Sequence, residues 1–143
     1  MTSPVDEVLD AFAEAAGKVP ELAGHVWIER EDVVTREEMP GLLILPGALN
    51  PVDLGDDTTV LQLGVRLLLY VAGARPSRSF YPLSAAVHRE LCWSETLQRL
   101  ATDLPQPIVE EPTYNDFDGF SGCAEVRYTL RLPVERDDPS QPA

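Results

Sequence analysis

The sequence contains few of the residue types that usually carry reactive chemistry. Its 143 residues include two cysteines and two histidines, too few for a disulfide framework or a cysteine and histidine metal site. We therefore interpret Cys92 and Cys123 as reduced packing residues, and His25 and His88 as ordinary polar positions. No Gly-x-x-x-x-Gly-Lys or Gly-x-Gly-x-x-Gly loop occurs, so neither a nucleotide nor any other cofactor is predicted.

Basic residues and long apolar runs are also scarce. Eleven Lys and Arg stand against 24 Asp and Glu, which gives a net charge of −13. Because this charge repels phosphate backbones and anionic lipids, we expect no direct binding to nucleic acid or membrane. The longest apolar stretch, Leu67 to Ala74, is far shorter than the roughly 20 residues that span a bilayer. The N-terminus has no signal-peptide pattern, so we expect a protein made in the cytoplasm.

Apolar residues make up 44% of the chain, which favours one folded domain over disorder. A capping serine followed by Pro4, with apolar residues at helical spacing, predicts a helix from Pro4 to Gly17. A second helix is predicted from about Ser79 to Thr102, and Ser94 is suited to cap a new turn after a break. Residues 137–143 contain two prolines and no large apolar side chain. They are predicted to be a flexible tail behind a single domain of residues 1–136.

The remaining apolar segments have the patterns of β-strands. Strands are predicted at His25–Ile28, at Gly41–Leu45, at Thr58–Ala72, from Ile108 to about Tyr114, and from Gly122 onward. The segment Asn50 to Asp57 is rich in aspartate and predicts a loop. The expected fold class is α/β (α+β), with a sheet of about five strands, mixed or antiparallel. Two helices should cover one face of the sheet, in the order α-β-β-β-α-β-β.

Three short patterns superficially resemble reactive sites. Gly119-Phe120-Ser121-Gly122 lacks the full hydrolase elbow, and Asp116-x-Asp118-Gly119 lacks the closing glutamate of a calcium loop. The pairs Glu37-Glu38 and Asp56-Asp57 could hold a divalent ion or act as acid and base, but no neighbour in the sequence would perturb their pKa values. Solvated loops are the preferred interpretation, so no catalytic residue and no metal site is predicted. A hydrolase that uses these paired carboxylates is the alternative from a different class.

Two regions have the mixed polar and apolar character of a protein interface. Alternation gives the long strand one face with Arg66 beside Leu68 and Tyr70, and it lets the last strand expose Glu125, Arg127 and Arg131. An acidic hairpin tip carries two phenylalanines. A sheet face that is merely solvated, and phenylalanines that pack back onto the sheet, are the alternatives. The candidate interface residues are Arg66, Leu68, Tyr70, Arg78, Asp116, Phe117, Asp118, Phe120, Glu125, Arg127 and Arg131.

Several of these stretches, in this order, resemble the tail terminator proteins of lambda-like siphophages. Met39-Pro40-Gly41-Leu42-Leu43-Ile44-Leu45-Pro46-Gly47-Ala48 looks like the family's acidic loop, proline, apolar strand and small-residue exit. The long strand Thr58 to Ala72, the helix after it, and the acidic hairpin Asn115 to Gly122 leading into Cys123-Ala124-Glu125-Val126-Arg127-Tyr128-Thr129-Leu130 follow in the family's order. The resemblance extends from Val5 to Val134 and concerns the order of the elements and the local residue patterns.

The resemblance implies a structural virion protein without catalytic residues, located in the neck region of the tail. Family members form a homohexameric ring that docks on the last ring of tail-tube protein, stops tube growth and presents its other side to head-completion or connector proteins. A head–tail connector or a tail-tube subunit of the same particle is the alternative. Six copies with a charge of −13 each would bring about −78 charges together. Assembly should therefore be favoured by salt or divalent cations.

Overall fold

The structure is a computed structural model that describes residues 3–53, 58–73, 76–115, 121–135 and 138–142. Its helices and strands are α1 (Pro4–Gly17), β1 (Val26–Ile28), β2 (Gly41–Asp53), β3 (Thr58–Ala72), α2 (Ser77–Cys92), α3 (Glu95–Leu100), β4 (Ile108–Val109), β5 (Thr113–Asn115) and β6 (Ser121–Glu135). This is an α+β fold with a mixed sheet, which confirms the predicted class.

The first helix has the predicted bounds, and its N-terminus shows why. The Ser3 hydroxyl accepts a hydrogen bond from the Asp6 backbone N–H at 3.2 Å, and Pro4 occupies the first helical turn, where a missing N–H costs nothing. The helix buries one stripe of side chains that includes Val8 and Phe12. Capping therefore sets where α1 begins, and the helical spacing of its apolar residues sets which side is buried.

The sheet is built around one long antiparallel pair. Strands β3 and β6 pair without interruption from Thr58 opposite Glu135 to Ala72 opposite Ser121. The strand order is β1-β2-β3-β6-β4, and β5 also pairs with β6. Strand β1 runs parallel to β2, and the other pairs are antiparallel. The sheet therefore has short strands at both edges and its longest strands at the centre.

Strand β2 differs from its prediction, because it does not end at Leu45 and residues 50–53 of the predicted loop belong to the strand, whereas residues 54–57 lie outside the described residues. It continues through Pro46 to Asp53, with a register irregularity between Pro46 and Leu49. Strand β1 pairs only with residues 42–44, so in the described structure the outer edge of β2 beyond Ile44 has no neighbouring strand. A proline, which lacks a backbone donor, is tolerated in an edge position of this kind.

Two other predicted elements are each divided in the structure. The second helix separates into α2 and α3, and the Ser94 hydroxyl accepts a hydrogen bond from the Leu97 N–H at 3.3 Å as the cap of α3. The predicted strand from Ile108 to Tyr114 is two short strands, β4 and β5.

The two cysteines differ in burial, and both are free thiols. Cys92, at the end of α2, is exposed, so its interpretation as a packing residue is wrong, whereas Cys123 is half-buried.

The hydrophobic core lies between the helices and one side of the sheet, which we call the covered face. Alternate residues of β3 and β6 point into it together with side chains from α1, α2 and α3. At its centre the Tyr128 ring meets the Phe12 ring edge-on, with 5.3 Å between centroids. All three helices therefore contribute to a single apolar layer on the same face of the sheet.

The end of the chain returns to the sheet. Pro142 forms an isolated bridge with Val134, and the Glu135 N–H donates to the Gln141 carbonyl at 3.1 Å. The flexibility of residues 137–143 stays a prediction, and these are contacts that a truncation of this segment would remove.

Within the described ranges, no helix is both long and apolar enough to cross a membrane.

Candidate interaction surface

The side of the sheet opposite the helices, here called the open face, carries most of the candidate interface residues that the structure describes. Every β3 and β6 side chain in its central part is half-buried or exposed, while the residues between them are buried on the covered face. The open face consists of Gln62, Gly64, Arg66, Leu68 and Tyr70 from β3, and Cys123, Glu125, Arg127, Thr129 and Arg131 from β6. The alternation predicted for these two strands is confirmed.

A row of ion pairs crosses the open face, and we call it the charge ladder. Arg66 and Arg127 are direct cross-strand partners, an arrangement that by itself is repulsive. The Glu125 carboxylate separates them, because Oε1 lies 2.6 Å from Arg66 Nη2 and Oε2 lies 3.6 Å from Arg127 Nε. Glu110, just after β4, forms an ion pair with Arg127 from the other side. The four residues thus alternate in charge across three chain segments.

The charge ladder adds little to the stability of a single copy. The two arginine side chains are 45% and 49% exposed, and solvent-exposed ion pairs of this kind contribute roughly 0 to 1 kcal/mol. Its arginines keep donor groups at the surface, and arginine is enriched where proteins meet. The ladder is therefore better suited to orienting a contact than to holding the fold.

Next to the ladder, Leu68 and Tyr70 form a half-buried apolar patch. Tyr70 lies directly opposite Cys123. Burial raises the pKa of the Tyr70 hydroxyl and the pKa of the Cys123 thiol above their ordinary values, and the two groups share a hydrogen bond. A thiol with a raised pKa is a poor nucleophile at neutral pH. Cys123 is thus part of the surface rather than a reactive group.

Part of the open face is covered by the chain between β1 and β2. Trp27, Leu43 and Leu68 lie side by side in register, so their side chains project from the same side of the sheet. The Arg30 guanidinium lies over the Trp27 ring, 4.5 Å from its centroid. The segment that follows Trp27 therefore lies on the open-face side.

This segment is closed into a loop by a bidentate ion pair. Arg30 Nη1 and Nη2 each donate to a Glu38 carboxylate oxygen at 2.7 Å, and the Thr35 N–H donates to the same carboxylate at 3.0 Å. Mainly because of the Arg30 hydrogen bonds, and then because of the Thr35 N–H, the pKa of Glu38 falls from its ordinary value of 4.5 to about 2. The expectation that nothing perturbs the pair Glu37-Glu38 is thus wrong for Glu38. Its carboxylate is committed to closing a loop, whereas Asp56 and Asp57 lie outside the described residues.

A small hollow adjoins the ladder. It has a volume of about 270 Å³ and lies between Gly64, the irregular part of β2 and Ile108, whose side chain is 61% exposed. A Cβ at Gly64 would lie 3.3 Å from the Ala48 nitrogen, so glycine allows β2 to approach closely here. Sequence reasoning did not select Gly64 or Ile108, although a glycine inside the longest strand is a recognised signal of close backbone approach.

The remaining sequence candidates are Arg78, Arg131 and four residues of the hairpin tip. Arg78 is exposed on α2, on the covered side. Arg131 is on the open face and has no ion-pair partner among the described residues. The hairpin-tip candidates Asp116, Phe117, Asp118 and Phe120 lie outside the described residues.

The histidines make local structural contacts. His88 Nδ1 lies 2.8 Å from the Tyr128 hydroxyl, whose pKa is raised by burial, and His25 Nδ1 lies 3.3 Å from the Pro40 carbonyl oxygen. Within the ranges that the structure describes, no group of three or more His, Cys, Asp and Glu side chains could hold a metal ion.

Comparison with known proteins gives similarity to solved structures alone. No family model matches the chain, and no curated protein matches it. Among solved structures, the chain is similar to one from the "Virion of native gene transfer agent (GTA) particle", with 11% sequence identity, a TM-score of 0.42 and coverage of 92% of each chain. Because this TM-score describes only partial agreement in the path of the chain, the similarity assigns neither a function nor a partner to this protein.

Proposed function

We propose that this chain is a structural virion protein, the tail terminator of a long-tailed bacteriophage. Its copies form a ring at the head-proximal end of the tail tube, stop polymerisation of the tube and provide the surface for joining the head. The protein acts by binding alone, without catalysis and without a cofactor. Its partners are further copies of itself, the tail-tube protein and the head-completion or connector proteins.

The observation that carries this proposal is the unequal covering of the two sheet faces. Three helices pack on one face, whereas the other presents the charge ladder beside the half-buried Leu68 and Tyr70. Tyrosine and arginine surrounded by polar groups are the composition expected of a subunit interface. A surface of this composition extends along the two longest strands, so the central strands of the fold serve both the core and the contact surface.

The resemblance to tail terminators supports the specific role. Its matching stretches include Gly41 to Leu45 and the strand from Cys123 to Leu130, and these lie in β2 and β6, the two long strands on either side of β3. The resemblance thus falls on the strands that build the open face. In a terminator, this face would meet another subunit of the neck or tail.

A tail-tube subunit or another neck component would share the requirement for a contact surface, and the assembled product separates these roles. A tube subunit polymerises into long tubes, a terminator stops at one ring, and a connector that needs the head for assembly remains dissociated. The product formed by the purified chain therefore distinguishes the terminator from both alternatives.

The first experiment is sedimentation of the purified chain across concentration and salt, with electron microscopy of the product. The expected result is one discrete ring-sized species and no tubes. In the second arm, the tail-tube subunit encoded in the same genome is polymerised with and without this chain. Added chain should shorten the tubes and mark one of their ends, whereas unchanged tube lengths together with unmarked ends would overturn the assignment.

A further inference from the structure

A groove on the outer side of α2 carries two arginines, and we call it the basic groove. Arg78, Pro82, Ala86 and Arg89 follow one another at intervals of four, four and three residues, so they form a single stripe along the helix. The stripe borders a groove of about 470 Å³ that also contacts the end of β3. The groove is lined by Glu21, Pro40, Val71, Ala72, Arg78, Ser79, Pro82, Leu83, Ala86 and Arg89.

In the part of the chain that the structure describes, no ion pair within one copy neutralises the charges of the basic groove. Arg78 and Arg89 are both exposed, and neither has an ion-pair partner in the described part of the chain. Because they are eleven residues apart in the helix, the Cα atoms of Arg78 and Arg89 are about 16 Å apart along its axis. The apolar groups of Pro82 and Ala86 lie between the two arginines. Glu21 is the one acidic residue among the lining residues. In a chain of net charge −13, the groove is thus an exception, with two cations at the ends of an apolar strip.

A second surface of the same chain has the opposite character. Glu31, Asp32 and Val33 form the tip of the loop between β1 and β2, and we call them the acidic tip. All three are exposed, and the Val33 side chain is 84% exposed, more than any other large apolar side chain in the described structure. An apolar side chain that follows two carboxylates is complementary to an apolar strip with arginines at its ends.

The acidic tip is held in a defined shape. The Arg30–Glu38 ion pair closes the loop, and Arg30 Nη2 also donates to the Val33 carbonyl at 3.2 Å. The neighbouring Val34 side chain is buried, which fixes the chain on one side of the tip. A segment that is already ordered loses less conformational entropy when it binds. The loop therefore holds the exposed Val33 side chain in one arrangement before binding.

The two surfaces lie on opposite sides of the sheet. Arg30 lies over Trp27 on the open-face side, whereas α2 packs on the covered face. None of the three residues of the acidic tip lines the basic groove. Two different complementary patches on one subunit make a head-to-tail interface, and such interfaces close into rings when the rotation between neighbours allows it.

We propose that the acidic tip of one copy binds in the basic groove of the next, so that this contact joins neighbouring subunits of the ring. The inference rests on the proposed function and names a contact between its copies. The contact between tip and groove also provides a local attraction between copies that are each strongly acidic. At physiological ionic strength, charges further apart than about 8 Å are largely screened, whereas charges in direct contact are screened less.

The test uses two charge-reversal variants of the full chain and their mixture. Arg78→Glu with Arg89→Glu makes the groove acidic, and Glu31→Arg with Asp32→Arg makes the tip basic. Each variant alone should associate at least about tenfold more weakly than the unchanged protein, because like charges then meet at the contact. Mixed in equal amounts, the two variants should form particles of the original mass, because each groove then meets a tip of opposite charge. Sedimentation velocity over a range of concentrations measures all of these species.

The matched control is Asp10→Arg with Glu14→Arg, which changes two exposed carboxylates on α1 and alters the net charge as much as the tip variant does. Circular dichroism confirms that every variant is folded, and the control should assemble normally. If the unchanged protein forms rings and the groove and tip variants do so equally well, the proposed contact is wrong while the proposed function stands. Folded variants that fail alone and also fail when mixed would likewise overturn the contact. If the unchanged protein forms no ring, the proposed function itself fails.

Discussion

The two faces of the sheet use the same strands for different purposes. On β3 the odd-numbered residues from Leu61 to Val71 are buried against the helices, while the even-numbered residues from Gln62 to Tyr70 remain half-buried or exposed. Because side chains alternate along a strand, neighbouring residues of one segment can meet separate requirements. The covered face holds the fold together, and the open face carries the surface that the proposed function uses.

The largest expected difference is between two adjacent leucines of β3. Leu67 is 2% exposed in the core, whereas Leu68 is half-buried on the open face. Leu67→Ala should lower the free energy of unfolding by about 2 to 5 kcal/mol, because it leaves a cavity in the core. Leu68→Ala should cost about 1 kcal/mol or less. Urea denaturation at a concentration where the chain is dissociated measures both values.

The same pair should reverse its order in an assembly assay. Leu68→Ala should weaken association, whereas Leu67→Ala should assemble normally under conditions where it is folded. Equal effects of the two substitutions on both stability and assembly would remove the distinction between the faces.

A smaller effect is expected within the charge ladder. Glu125→Gln removes the carboxylate between Arg66 and Arg127, which leaves two cross-strand arginines facing each other. The free energy of unfolding should fall by up to about 1 kcal/mol at low salt, and the loss should shrink near 1 M salt, where charges are screened. The control is Glu135→Gln, which changes an exposed glutamate at the far end of the same strand. A loss that is equal for the two variants would exclude a specific role for Glu125.

The pH dependence tests the loop that covers part of the open face. The pKa of Glu38 in the folded chain is lowered to about 2 from 4.5, so its ion pair stabilises the fold at pH values above 4.5. This stabilisation is lost as the pH falls from 4.5 through about 2. Unfolding followed between these pH values should therefore show a component that Glu38→Gln removes and Glu37→Gln retains. An identical pH profile for all three proteins would contradict a stabilising role for the Arg30–Glu38 ion pair.

The smallest effect is expected at the end of the chain. Removing residues 137–143 should leave thermal stability within about 0.5 kcal/mol of the full chain, because the segment contains no core residue. The described contacts that the truncation removes include the Val134–Pro142 bridge, the hydrogen bond from the Glu135 N–H to the Gln141 carbonyl, and the hydrogen bond from the Asp138 N–H to the Glu135 carbonyl. A clear fall in the melting temperature would show that this return to β6 matters.

Local signals in the sequence predicted those parts of the fold that depend on neighbours in the chain. Capping by Ser3 and the alternation from Thr58 to Ala72 set α1 and β3, whose predicted bounds are those observed. Strand β2 was predicted too short, because Pro46 and Pro51 are ordinarily strand breakers. Whether a proline is tolerated depends on which strand edge is free, and that depends on tertiary structure.

For the candidate surface, the sequence likewise predicted what depends on neighbours in the chain and not what depends on distant residues. Alternation placed Arg66 on the mixed face of the long strand and Glu125 on the exposed face of the last strand, but the register that brings their charged groups together depends on pairing between distant strands. The Arg30–Glu38 ion pair was not predicted for the same reason. Arg89 was missed because its significance comes from its helical spacing to Arg78 and from the groove beside it.

An electron microscopy reconstruction of the assembled protein tests most directly whether the open face is a contact surface. The account predicts a closed ring in which Arg66, Leu68 and Arg127 are buried against a neighbouring subunit or against the tail tube. A closed ring in which these three side chains remain in solvent, with and without the tube attached, would contradict it.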